Sequence, residues 1–173
     1  MRYLFQSLKA VGGCILIAAL HMGALYLFPY PLNKINVIFS FLVLAILWTD
    51  SGVIVWVAFL LHFFIELYAL SPFGIVLFAG TMATLMLFWL YRNVFINRSF
   101  VAVVSLSLTA IVLYRVLYTI ALFIFSFSLV REQSFASLMI VYAWEVLFTI
   151  IGAVFLYFIT YRFTQKFNVM IVR

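Results

Sequence analysis

Residues 10–28 form an almost unbroken apolar run, and five more runs of the same kind follow at 35–48, 53–70, 73–91, 99–130 and 135–161. This pattern constrains the chain more than any single motif. Backbone polar groups in hydrocarbon have no water to bond, so continuous apolar runs of this length have one ready solution, the α-helix. Barrel strands would alternate apolar and polar positions over about ten residues, and these runs do not alternate. The chain is 69% hydrophobic and 8% charged, against about 25% charged in a soluble domain. Its fourteen charged side chains cannot cover a globule of 173 residues in water, which excludes a soluble enzyme. The expected architecture is therefore all-α. It is one polytopic transmembrane domain over residues 1–173, with about six helices in a single bundle.

The breaks between runs support this division. Pro29-Tyr30-Pro31 closes the first run, Thr49-Asp50-Ser51-Gly52 the second and Ser71-Pro72 the third. A basic loop over residues 92–98 follows the fourth, and Arg131-Glu132-Gln133-Ser134 separates the last two. The second run is the shortest. At 1.5 Å rise, fourteen helical residues reach about 21 Å, short of a hydrocarbon core of roughly 30 Å. The first run is longer than a signal-peptide core and shows no small-residue cleavage site, so it reads as a retained helix.

Charge distribution sets the expected orientation. With six spans, Arg2, Lys9, Arg92, Arg98, Arg162, Lys166 and Arg173 share one side, while Lys34 and Arg131 lie on the other. Seven against two satisfies the positive-inside rule with both termini cytoplasmic. Arg92, Arg98, Arg162 and Lys166 are the main topology determinants. The formal charge of +6 comes from residues scattered at segment ends rather than from a phosphate-binding stripe, so no nucleic-acid partner is expected.

Four ionisable residues inside the runs form the candidate site: His62 and Glu66 in the third, Arg115 in the fifth and Glu145 in the sixth. Such groups face a bundle interior and pair with one another. His62 and Glu66 are four apart and share a helical face. Arg115 has Thr119 and Ser126 on its side, and Glu145 shares a face with Tyr142, Thr149 and Gly152. An interior ion pair is expected between Arg115 and either Glu145 or Glu66. It would fix helix packing, line a pocket for a ligand or partner, or relay protons.

His21 is expected to be a hydrogen-bonded packing histidine. Two histidines without a spacing signature do not make a metal site, and the single Cys14 supports neither a disulfide nor a cluster. No catalytic elbow or His-Glu-x-x-His motif is present, so neither catalysis nor a cofactor is expected. Most of the 21 Phe and 10 Tyr are expected to face lipid or anchor the interfaces, among them Tyr26, Tyr30, Trp48, Trp89, Tyr91 and Tyr161.

The stretch from about residue 48 to 122 resembles the rod-shape-determining MreD family of bacterial inner-membrane proteins. The resemblance is carried by an order of features. Asp50-Ser51-Gly52 opens a helix that carries Glu66 in its last turns. A Ser71-Pro72-Phe73-Gly74 turn and another span follow. The aromatic, basic loop Val94-Phe95-Ile96-Asn97-Arg98-Ser99 then leads into a long apolar helix. Position 66 departs from the family pattern, which has an aspartate close to a glycine. The resemblance implies a non-enzymatic scaffold of the cell-elongation machinery in the bacterial inner membrane. Its implied partners are a bitopic MreC-like protein and, through it, MreB and the peptidoglycan-synthesising pair. Helix packing through small residues such as Ala19 and Gly23, or Gly80 and Ala83, would then recognise partners or a second copy within the bilayer. In size and span number the chain is also similar to the substrate-binding S components of energy-coupling-factor vitamin transporters, in which Glu66 and Arg115 would line an outward pocket.

Overall fold

The computed structural model describes residues 2–49, 51–94, 99–125 and 135–171, with side chains described over 10–49, 51–94, 99–125 and 138–162. Among the described residues six α-helices follow one another: α1 (Arg2–Leu27), α2 (Val37–Thr49), α3 (Val53–Glu66), α4 (Ile75–Val94), α5 (Phe100–Phe125) and α6 (Phe135–Ile171). A 3-10 turn, Leu32–Lys34, lies between α1 and α2. Among the described residues there is no strand. Four helices contain segments long and apolar enough to cross a bilayer: Ala10–Leu27, Ile75–Val94, Phe100–Phe125 and Leu138–Arg162. The chain is an all-helical, multi-pass membrane protein.

The helices depart from the apolar runs in instructive places. Helix α3 ends at Glu66 rather than at residue 70, so it has 14 residues beside the 13 of α2. Two helices, not one, are therefore about 20 Å long. The early stop has a local cause. Glu66 Oε2 accepts the backbone N–H of Leu77 at 2.6 Å, fastening the end of α3 to the first turn of α4. Pro72 restricts the residue before it, and Gly74 sits at φ +100°, a conformation that a Cβ would disfavour. Helix α6 runs the other way, continuing past residue 161 to Ile171. For the fifth run, residues 126–130 lie outside the described residues.

Helix α2 is the hub. Eight of its thirteen residues are buried, from Ile38 to Leu47. A helix apolar on every side belongs in a core rather than on an amphipathic surface. It packs against all five other helices, while α3–α4, α4–α5 and α5–α6 form the successive neighbours around it. Phe39, Leu42, Val43 and Ile46 are fully enclosed with Leu61, Leu87, Leu106 and Ile111. Outward-facing Leu16, Leu20, Trp56, Trp89, Val116 and Phe155 are exposed, as expected of a surface solvated by lipid. Some aromatic residues depart from the lipid-facing expectation. Phe39, Tyr91 and Tyr114 are buried, and the Phe39 ring of α2 packs on the Tyr114 ring of α5.

Candidate functional site

The interior polar groups converge on the start of α2, the middle of α5 and the first half of α6. Arg115 Nε donates to Glu145 Oε2 at 2.5 Å. The other oxygen of that carboxylate, Oε1, accepts from the side-chain amide of Asn36 at 3.2 Å. Glu145 is thus held from two sides. Its side chain is 4% exposed, whereas that of Arg115 is 25% exposed. Of the two acids considered for Arg115, the partner is Glu145, and Glu66 is occupied at Leu77.

Asn36 carries more of the arrangement than its place in an apolar run suggested. Its Oδ1 accepts the N–H of Phe39 at 3.2 Å, the geometry of an N-cap three residues into the helix. Its own backbone N–H donates to Thr149 Oγ1 at 3.0 Å. Ser40 Oγ donates to the carbonyls of Asn36 and Thr149. One residue therefore caps α2, anchors it to α6 and orients the carboxylate of the ion pair. The available signal was the polar residue just ahead of an apolar run, a recognised helix start.

Gly152 lies beside this junction. A Cβ there would come within 3.0 Å of Ile35 Cδ1 and 3.1 Å of Ser40 Oγ. The face expected of Glu145, Tyr142, Thr149 and Gly152 is real. It is divided between the ion pair and the seat of α2.

The Arg115 guanidinium lies over three rings, with centroids at 4.8 Å (Tyr142), 5.3 Å (Tyr114) and 5.7 Å (Tyr118). Negative ring faces attract a cation, so the guanidinium is held by π-faces as well as by Glu145. Thr119 shares its side of α5, with its hydroxyl 3.5 Å from that of Tyr142. Ser126 lies outside the described residues.

His62 and Glu66 are both buried on one face of α3 but serve different neighbours. His62 Nδ1 lies 2.8 Å from the Ala58 carbonyl, and its ring packs on Phe39 and Tyr114. It fills the space in front of Gly80, where a Cβ would come within 2.0 Å of His62 Cδ2. Glu66 keeps one oxygen, Oε1, buried without a hydrogen bond among the described residues. His21 departs from expectation: it is buried, but among the described residues its Nδ1 has no hydrogen-bond partner.

The two small-residue pairs separate. Gly80 and Ala83 are buried in the core facing α3 and α2, so they pack this chain onto itself and are not available to a partner. Ala19 is exposed, and Gly23 has only Leu27 within 4 Å of a would-be Cβ. The packing stripe of α1 is instead Cys14, Ala18, His21 and Ala24. Arg92 and Arg162 are exposed, and Arg92 lies over the Phe88 ring at 5.7 Å. Arg98 and the Lys166 side chain lie outside the described residues. Among the described residues, no three His, Cys, Asp or Glu side chains gather as a metal set. The arrangement can lock helices together and present a partly open cation to the bilayer. No family model, curated protein or solved structure matches the chain.

Proposed function

We propose that this multi-pass protein is a non-enzymatic scaffold of the bacterial cell-elongation machinery, embedded in the inner membrane and binding a bitopic MreC-like partner that links it to peptidoglycan synthesis. The observation that carries the reading is the closed network Asn36–Glu145–Arg115. The groups best suited to hold a polar ligand are engaged with one another across α2, α5 and α6. Such a network sets helix register, and the described connections are too short to form soluble domains. Recognition then falls to the outer faces of the helices. The resemblance of residues 48–122 to the MreD family supplies the identity of the machinery.

In this reading all six helices cross the membrane with both termini cytoplasmic, and α2 and α3 form the thin part of the bundle. A locally thinned bilayer accommodates short spans at modest cost. With Cys14 replaced by serine, a cysteine at Lys34 or Phe73 should react with an impermeant reagent from the periplasm. One at Asn93 should react only after the membrane is opened. Labelling of Asn93 from outside would overturn the six-span arrangement.

The function is tested by crosslinking the tagged protein in its native membrane, purifying it in mild detergent, and identifying the proteins and small molecules recovered with it. A bitopic coiled-coil protein together with cell-wall synthases is the expected result. An ATPase-bearing energy module, or a stoichiometric vitamin, would overturn the scaffold and establish the S-component alternative.

A further inference from the structure

Helix α3 is the short helix that meets lipid. It has 14 residues, a reach of about 21 Å at 1.5 Å per residue. Helix α2 is as short but lies in the core, so its length makes no demand on the bilayer. Among the described residues α3 packs on α1, α2 and α4, and on neither α5 nor α6. Those two are the long helices. Helix α5 has 26 residues and the apolar part of α6, Leu138–Arg162, has 25, so each reaches about 37–39 Å. Val101 and Phe125, near the two ends of α5, are apolar and exposed. Tilted by about 30°, α5 still covers about 34 Å, whereas any tilt of α3 only shortens its reach.

The turn after α3 does not make up the difference. Residues 67–74 are not helical, and Leu70 and Phe73 are exposed. Lipid-exposed backbone outside a helix does not occur within hydrocarbon, so the apolar layer beside α3 ends near Leu67. At the other end the non-helical Ser51-Gly52 leads into Val53.

We infer that the bundle presents two thicknesses to the bilayer, and that the α3 face takes a shell of phospholipids with short acyl chains while α5 and α6 take chains of ordinary length. A hydrocarbon core of about 30 Å is spanned by tilted α5 and α6 but exceeds α3 by about 9 Å. Lipid beside α3 must compress, and a shorter chain needs less compression. The surface of α3 argues for lipid over protein. Val53, Trp56, Phe59 and Phe63 are exposed and bulky, and none carries a hydroxyl, amide or charge. Helices associate in a bilayer through small residues that let backbones approach, or through polar side chains that bond across. This face offers neither, to a partner helix or to a second copy.

The inference rests on the reading in which α3 crosses the membrane, which the sided cysteine labelling tests by itself. With Cys14 replaced by serine, single cysteines at Phe59 on α3, Val112 on α5 and Ile151 on α6 carry a bimane label. All three positions are exposed and lie near the middle of their spans. The vesicles contain equal parts of dimyristoleoyl- and dioleoylphosphatidylcholine, with one or the other brominated so that it quenches a neighbouring label. The ratio of short-chain to long-chain quenching should be about two- to five-fold higher at Phe59 than at Val112 or Ile151. Equal ratios at the three sites, or a lower one at Phe59, would overturn the inference. So would a Phe59 label that neither lipid quenches, because a second copy would then cover α3. Equal ratios with the sided labelling intact would remove the lipid preference and leave the six spans and the scaffold standing.

Discussion

The side-chain amide of Asn36 donates to Glu145 across 109 residues of sequence, so the carboxylate that balances Arg115 also fixes where α2 begins. Capping and ion pairing are commonly separate contributions to a fold. Here they share one carboxylate, and three helices depend on it.

Removing one member of the pair should therefore cost more than a surface ion pair would. Glu145→Gln leaves a partly exposed guanidinium without its counter-charge and weakens the hold on Asn36. The expected loss is about 2–3 kcal/mol, below the usual cost of orphaning a fully buried charge because Arg115 retains some exposure. Thermal midpoints in detergent for Glu145→Gln, Arg115→Met and the double variant form the check. The double variant should lose less than the sum of the two singles.

Asn36 can be separated into its two roles. Asn36→Ala should lower stability by about 1–2 kcal/mol through loss of the cap and of the amide donor. Asn36→Ser restores a capping oxygen but is too short to reach Glu145, and should fall between alanine and wild type. Equal losses for serine and alanine would show that the Glu145 link dominates.

Gly80 should tolerate no side chain while His62 is present. Gly80→Ala places a Cβ within 2.0 Å of the His62 ring, and overpacking of this kind costs about 1–3 kcal/mol or more. Combining it with His62→Ala opens the space again. Partial recovery of the folded yield in the double variant is the expected outcome, and no recovery would place the clash elsewhere.

Gly23 should behave in the opposite way. A Cβ there meets only Leu27 at 3.9 Å, so Gly23→Leu should change the thermal midpoint by an amount equivalent to no more than about 0.5 kcal/mol. A loss comparable to that of Gly80→Ala would mean that α1 packs more tightly than its exposure indicates.

The contrast between Gly23 and Gly80 shows where reading the chain as a string stops. Both glycines lie three or four residues from an alanine in an apolar helix, and both fit a small-residue packing motif. Only the placement of α3 against α4 makes Gly80 a contact point, and only the orientation of α1 turns Cys14, Ala18, His21 and Ala24 inward instead of Ala19 and Gly23. The choice of Glu145 over Glu66 for Arg115 was open for the same reason. Both acids suited the pairing by charge, and the hydrogen bond from Leu77 to Glu66 is a contact between two helix ends that no periodicity reports. Asn36 was legible as a helix start, but its tie to Glu145 was not, because that requires α6 to lie beside α2.

What the amino-acid order determined by itself is the solvent and the secondary structure. Apolar runs with few charges cannot fold in water, and in hydrocarbon the backbone satisfies its own hydrogen bonds only as a helix, so the helical class follows from local physics. The tertiary structure alone decided which helix is central, which acid pairs with Arg115, where α3 stops and which small residues are covered. Those outcomes depend on contacts between residues far apart in the chain, and such contacts are set by how the helices pack together, not by the spacing of residues along any one of them.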